Sequence, residues 1–498
     1  MLRRRLARIG PDFAASLIIG FGLLAFVPSL TGYFLADDFV LLSWTRTNSI
    51  SEVAGFFDPN VEWFYRPFVK FFYWSGQGVF GLRAAPFHLI SLLLHGLNGY
   101  LVYRLVLGAE ARGRGWVVGL AAGLLFLLNS HHAETVSWIA AIGDLSGLVC
   151  VLVATLLFRR YLSSGRWAGL VASVGVFALG LLTRETVVVL PFLLLLYAFI
   201  ARGAVFADNR GAVIKRLALG LIPHATVLLV YLLVVVVGRG SSGGLGRGGL
   251  AFRALNIDSI LLGVFDFVHG LIPGGRSLAS LPLETMRTVI WIEALAALAF
   301  VALLLWKRQR LALFGLIWML ATPLLFVFFS GPTDRYFYLP SVGYAIFAAG
   351  LVGWLVRFLS SRLTQDGRVA RAIGAFVLAV MLLTQARDLT VKEASWHAAG
   401  KVSGGVYNDV KKSVPVPGDG GRFYFVGLPM FMDSVPVFQN ALPSGLHALY
   451  GNRSLAGFAV TCDELQPGRL EESAYAQYLF QFKGDGVGRI LKPEDCRP

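Results

Sequence analysis

Two adjacent carboxylates, Asp37 and Asp38, follow the first apolar run of the chain in Tyr33-Phe-Leu-Ala-Asp-Asp-Phe39. Side by side, such groups hold one proton between them or bind a divalent cation, and either arrangement supplies a general base. An acidic helix N-cap at the surface is the plainer alternative. Arg66 stands in Trp63-Phe-Tyr65-Arg-Pro-Phe68, ahead of Phe71, Phe72, Tyr73 and Trp74. That aromatic stretch suits a helix lying along a membrane interface, and its arginine is placed to pair with Asp37 or Asp38 or to bind phosphate bidentately. His131-His132-Ala-Glu134 gathers three possible ligands at a spacing that matches no strong metal signature. Asp144, read as about ten residues into an apolar segment, needs a cationic partner there. His88 and His95 lie seven apart on one helical face and read as packing residues. Thr183-Arg184-Glu185 and Asp334-Arg335-Tyr-Phe-Tyr338 complete the set. An arginine at such a boundary can snorkel to water or pair with its neighbour Glu185 or Asp334. Several arginines converging on paired carboxylates nevertheless suit a substrate that carries phosphate and a lipid tail.

The elements that must position these residues are set by composition. Of 498 residues, 56% are hydrophobic and only 15% charged, far below the quarter expected of a soluble protein. Taking about 20 apolar residues as one crossing, spans are expected at 13–35, 86–107, 116–130, 134–158, 167–183, 185–201, 216–237, 289–306, 312–330, 336–356 and 370–388. The run 167–201 is divided at Thr183-Arg184-Glu185, since a charged pair would otherwise lie in lipid. Alternate connections carry 21 Lys and Arg against 11 on the opposite side, which places the N-terminus in the cytoplasm. The large connections 36–85 and 238–288 and the tail 389–498 then lie outside, in the periplasm if the membrane is a bacterial inner membrane. Arg3, Arg4, Arg5 and Arg8 precede the first segment without a small-residue cleavage site, so it is expected to stay as an anchor. The net charge of +15 comes without a basic stripe or nucleic-acid motif and reads as topology signal, with no nucleic-acid partner.

The expected fold is therefore an all-α polytopic membrane module over 1–388 and a small α/β domain over 389–498. In the tail, Arg422 to Leu428 reads as a buried strand, and Val435 to Leu449 mixes turn signals with a short helix. Cys150 falls inside a span and reads as packing. Cys462 and Cys496 either pair or stay free thiols, and the spacing does not choose. The glycine-rich run Gly238 to Gly249 lacks the Gly-Lys-Ser/Thr ending of a phosphate loop and reads as a connection.

Taken in order, these pieces resemble the multi-spanning glycosyltransferases of the GT-C fold that use polyprenyl-phosphate sugars, and among them the transmembrane and TPR-containing O-mannosyltransferases and their bacterial relatives. The resemblance covers about residues 30–345. It rests on Ala36-Asp37-Asp38, Tyr65-Arg66-Pro67, Phe87-His88 with Leu94-His95, His132-Ala-Glu134-Thr-Val-Ser-Trp138, Gly143-Asp144-Leu145, Arg184-Glu185 and Arg335-Tyr-Phe-Tyr-Leu-Pro-Ser341. It implies that Asp37 is the base toward an acceptor hydroxyl, that Asp38 is its partner, and that transfer inverts the anomeric centre. It also implies that Arg335, Arg184 and Arg66 bind the donor phosphate, with His131, His132, Glu134, Asp144, Glu185, Tyr65 and His88 supporting. Any divalent cation would sit on Asp37 and Asp38. No 34-residue repeat is found in 389–498, so a protein acceptor does not carry over directly. Mannose is the first sugar to consider, and protein the first acceptor, followed by an envelope glycan or lipid. The competing class is a flippase for lipid-linked saccharide, which would line a path through the bilayer with ionisable groups.

Overall fold

The computed structural model describes residues 11–59, 65–109, 115–200, 210–240, 257–272, 280–326, 333–362, 367–439, 441–465, 476–484, 486–490 and 495–496. Trp63, the N-terminal arginines and the glycine-rich run from residue 241 onward lie outside them. The chain is a helical bundle of membrane type with a small strand-containing domain at its C-terminal end.

Helix α1 (Pro11–Gly22) runs into a 3-10 segment, Leu23–Thr31, and α2 (Asp37–Trp44) and α3 (Ile50–Ala54) follow it in the first large connection. Helix α4 (Pro67–Phe80) starts with proline in its first turn, where the missing N–H costs nothing. The bundle continues through α5 (Ala84–Ala109), α6 (Gly115–Leu127), the short α7 (His132–Ser137), α8 (Ile142–Ser164), α9 (Trp167–Leu181), α10 (Leu190–Ile200) and α11 (Arg210–Gly240). Helices α12 (Ile257–Leu271), α13 (Leu283–Trp306), α14 (Arg310–Ala321), α15 (Tyr338–Ser360) and α16 (Arg368–Ser413) complete it. Among the described residues, six helices are long and apolar enough to cross a membrane, and the other five expected spans coincide with shorter apolar helices. The length criterion is thus met by six of the eleven.

Lipid gives helices little hydrophobic reason to associate, so small residues and interhelical hydrogen bonds do the joining. Gly315 on α14 and Gly343 on α15 meet backbone to backbone, where an added Cβ would collide with Phe347 and Met319. In the core, His95 Nδ1 lies 2.9 Å from the Tyr338 hydroxyl, and the Asn98 amide donates to Leu145 O (2.9 Å) and to Tyr338 (3.1 Å), tying α5, α8 and α15 together. The Trp318 indole donates to Leu339 O at 2.9 Å and pins the start of α15.

Helix α16 is 46 residues long and runs unbroken through 388/389, so no linker stands at the boundary expected between the two regions. Beyond it come β1 (Arg422–Val426), β2 (Phe431–Met432), β3 (Val435–Pro436), α17 (Leu442–Tyr450), β4 (Ala456–Val460), β5 (Gln477–Lys483) and β6 (Gly486–Ile490). Four strands form a sheet in the order β4-β1-β5-β6, with β1 parallel to both neighbours and β6 antiparallel to β5. Register pairs Phe423 with Tyr478, whose rings meet tilted at 4.7 Å, and Phe425 with Phe480, whose rings stack at 5.5 Å. Cys462 and Cys496 form a disulfide. The domain grips the first connection directly: Ala36 N–H donates to Val437 O (2.9 Å), the Ser403 hydroxyl to Phe34 O (2.7 Å) and Arg46 to Ala448 O (2.6 Å).

Candidate active site

The chain turns sharply before Asp37. Ala36 has φ 39° and ψ −110°, a conformation that L-residues seldom adopt, held by its bond to Val437 and by the turn it caps. Asp37 and Asp38 occupy the first turn of α2, where the helix dipole favours negative charge. Their environments are opposite. Asp38 is 1% exposed, and its oxygens accept the Leu35 N–H (2.8 Å), the Tyr73 hydroxyl (2.7 Å) and the Ala140 N–H (2.7 Å). Burial pushes its carboxyl up to about 7 despite those donors. Asp37 is exposed; desolvation by the surrounding protein raises its carboxyl, while Arg335 and Arg66, both within electrostatic reach, oppose the rise. Three protein donors occupy three of the roughly four lone-pair sites of Asp38, which leaves little of it to share a proton or a cation with Asp37. The Asp38 carboxylate does not fit a shared cation site. Among the described residues no group of three or more His, Cys, Asp and Glu side chains converges as a metal set.

The arginines are held as ion pairs. Arg66 faces Glu185 in a fork, with Nε to Oε2 at 2.9 Å and Nη2 to Oε1 at 2.5 Å, not Asp37 or Asp38 as the sequence suggested. Arg184, 3% exposed, approaches Asp144 at 3.0 Å and its neighbour Glu185 at 3.9 Å. This contact depends on Gly143, whose missing Cβ would stand 2.7 Å from Thr183 O. Asp144 is also corrected: the segment expected as one span from 134 breaks into α7 and a 3-10 turn at Ile139–Ala141 before α8 begins, so Asp144 lies in the first turn of α8 rather than deep in it.

Arg335 is held less tightly. Its Nε lies 3.7 Å from Glu134 Oε1, its backbone N–H donates to Glu134 Oε2 (3.2 Å), and its guanidinium covers the rings of Trp138 (4.9 Å) and Tyr336 (5.4 Å). Burial lifts the Glu134 carboxyl to about 7 against the attraction of Arg335. Asp334, one alternative partner for Arg335, instead binds Lys392 Nζ (2.5 Å) and His131 Nδ1 (2.7 Å). Beside Arg335 lies a narrow cleft of about 10 Å³, scarcely room for one water molecule, lined also by Asp144, Leu148, Val151, Phe326, Tyr338 and Leu339.

The remaining expected members lie mainly in packing contacts. His132 is fully buried, 2.9 Å from the Ser341 hydroxyl, and burial holds its imidazole well below the usual range and therefore neutral. His131 stacks on Phe337 at 4.0 Å and reaches Gly270 O on α12. Phe337 and Tyr338 are buried in packing, Tyr338 also lining the cleft beside Arg335, whereas Tyr336 interacts with both Arg66 and Arg335. Tyr65 lies against Tyr231, and His88 is buried beside Gly32; no hydrogen bond or ion pair among the described residues joins either to the arginines. Sequence reasoning missed Tyr73, Lys392 and Glu393. Tyr73 was visible only as one aromatic among several, and the other two stand four and five residues past the last expected span.

With this geometry, the likenesses can be placed. Residues 65–230 match the family model described as dolichyl-phosphate-mannose-protein mannosyltransferase. Protein O-mannosyl-transferase Tmtc1 of Drosophila melanogaster is 32% identical over 108 residues, and Tmtc2 of the same organism 35% identical over 114. Each alignment covers 22% of this chain and only 12% of the relative. Among solved structures, the Archaeoglobus fulgidus oligosaccharyltransferase, in complex with Zn and sulfate, aligns over 93% of this chain and 67% of its own at a TM-score of 0.52 and 12% identity, a likeness of fold. ArnT from Cupriavidus metallidurans, bound to undecaprenyl phosphate, aligns over 89% of this chain and 85% of its own at a TM-score of 0.48 and 15% identity. In its fold, and over residues 65–230 in its sequence, the chain resembles the GT-C glycosyltransferases and their O-mannosyltransferase branch.

Proposed function

We propose that this chain is a glycosyltransferase that moves one sugar, mannose first among the candidates, from a polyprenyl phosphate to an acceptor hydroxyl at the periplasmic face of a bacterial inner membrane. The observation that carries the reading is one exposed carboxylate, Asp37, fixed beside a sealed one and within reach of Arg335 and Arg66. In the proposed step Asp37 takes the acceptor hydroxyl proton while that oxygen bonds to the anomeric carbon. The bond from that carbon to the phosphate oxygen breaks, its electron pair goes to the phosphate, and the anomeric centre inverts. A phosphodiester with one negative charge leaves as a monoester with up to two, so a cation must bind the product state more strongly. Arg335 fits that part best, because its guanidinium borders the cleft and its counter-ion Glu134 stands 3.7 Å away, whereas Arg66 and Arg184 are closely clamped. The disulfide in the C-terminal domain supports an oxidising outer compartment for that domain.

Purified protein in nanodiscs, given polyprenyl-phosphate [14C]mannose and candidate peptide, glycan or lipid acceptors, tests the reading. Label on an acceptor with release of polyprenyl phosphate is the expected result. Passage of lipid-linked sugar between vesicle leaflets with no transfer to any acceptor would replace the enzyme with a flippase.

A further inference from the structure

Two consecutive residues of α16 hold both walls around Arg335 without touching it. Lys392 Nζ lies 2.5 Å from Asp334 Oδ2 and 3.3 Å from His131 Nδ1, fixing the residue immediately before Arg335. Glu393, 1% exposed, has both carboxyl oxygens 2.8 Å from the hydroxyl of Ser137, the last residue of α7. Ser137 offers a single hydroxyl hydrogen, which it donates between the two carboxyl oxygens. One turn along α16, Trp396 packs on Trp138 at 5.9 Å. Trp138 is the ring that Arg335 covers, and α7 also carries Glu134, the counter-ion of Arg335. Asp334, Trp138 and the helix that carries Glu134 are thus fastened to residues 392, 393 and 396 of one helix, while Tyr336, the other ring under the guanidinium, stacks on Phe326. Helix α16 is also the one that continues into the C-terminal domain.

We infer that Lys392 and Glu393 are positioning residues for Arg335, so that α16 sets the phosphate-binding guanidinium from outside the site. The inference rests on the glycosyltransferase reading above. Displacements of about 1 Å from positioning changes cost up to 10²-fold in turnover, and Lys392→Met removes the ion pair while keeping most of the side-chain length.

The test uses the full chain in nanodiscs, with undecaprenyl phosphate as the binding probe and transfer of labelled sugar as the kinetic one. Lys392→Met and Glu393→Ala should each lower kcat/KM at least about tenfold and weaken undecaprenyl phosphate binding by a similar factor. Lys392→Arg should return both to within about threefold of the parent, because the charge facing Asp334 is restored. Glu393→Gln should stay near the parent, since the amide oxygen still accepts the Ser137 hydroxyl. Should Lys392→Met fail to fold by thermal unfolding, Lys392→Gln takes its place. Unchanged binding and turnover in the folded Lys392 variant, or a Lys392→Arg variant as impaired as Lys392→Met, overturns the inference. A parent chain that neither binds nor transfers overturns the function reading instead.

Discussion

The acidic corner at residues 36–38 and the arginine side formed by Arg66, Arg184 and Arg335 are both charged regions at one end of the bundle, yet they are stabilised in opposite ways. In the corner, backbone N–H groups and a phenol satisfy one carboxylate completely and leave its neighbour open. On the arginine side each cation has its own carboxylate, Glu185 for Arg66, Asp144 for Arg184 and Glu134 for Arg335. A buried charge without a partner is costly, and the corner meets that cost once, with neutral donors that never have to move. The arginine side meets it with ion pairs, which a phosphate can enter only by competing with a carboxylate. On the function proposed above, the corner is the fixed base and the arginine side the exchangeable anion site.

The largest expected effect is on the corner. Asp37→Asn removes the proton acceptor at almost no change of volume, and turnover should fall about 10²-fold or more with the thermal midpoint unchanged. Near-normal transfer by this variant would move the base elsewhere, to Glu134 or Asp144 first. Asp38→Ala should act through stability: it strands the Leu35 and Ala140 N–H groups and the Tyr73 hydroxyl, and chemical unfolding should report a loss of roughly 3 kcal/mol or more. A fully stable Asp38→Ala protein would break the contrast between the two carboxylates.

On the arginine side, Arg335→Lys keeps the charge but loses the planar fork, and steady-state kinetics should show turnover down about tenfold. The smallest effect is a pH dependence. Glu134 holds its proton up to about 7, whereas an unfolded glutamate releases it near 4.5. Below pH 7 the neutral carboxyl leaves Arg335 open to phosphate; above it the carboxylate competes, so KM for the lipid-linked donor should rise about threefold on crossing pH 7. Linkage gives the same group an unfavourable contribution to stability as pH rises through that value, because the folded state binds the proton more tightly. Glu134→Gln should flatten the KM profile, and a step that persists in that variant assigns the titration to another group.

How much of this is legible in the sequence follows from the same contrast. Asp37, Asp38 and the three arginines stand out because charge beside lipid is rarely kept without use. Their division of labour does not, since what seals Asp38 is Tyr73 and Ala140, 35 and 102 residues away. The depth of Asp144 was misread because the break between α7 and α8 falls at Trp138–Ala141, an apolar stretch with no glycine or proline to mark it. The helical bundle was legible from hydropathy, and the first strand of the tail, β1, from its aromatic run, whereas β4, β5 and β6 were not read. Lys392 and Glu393 were not: they read as solvated charges at the start of a polar tail, and Ser137 is 256 residues from Glu393. Only the unbroken course of α16 brings them to the site.

The most direct measurement is equilibrium binding of undecaprenyl phosphate to folded Asp37→Asn and Arg335→Ala proteins beside the parent, with no acceptor present. If the corner is the base and the arginine side the anion site, Asp37→Asn binds the lipid phosphate within about twofold of the parent and Arg335→Ala binds it at least about tenfold more weakly. Parent-like binding by Arg335→Ala, with weakened binding by Asp37→Asn, would contradict the account.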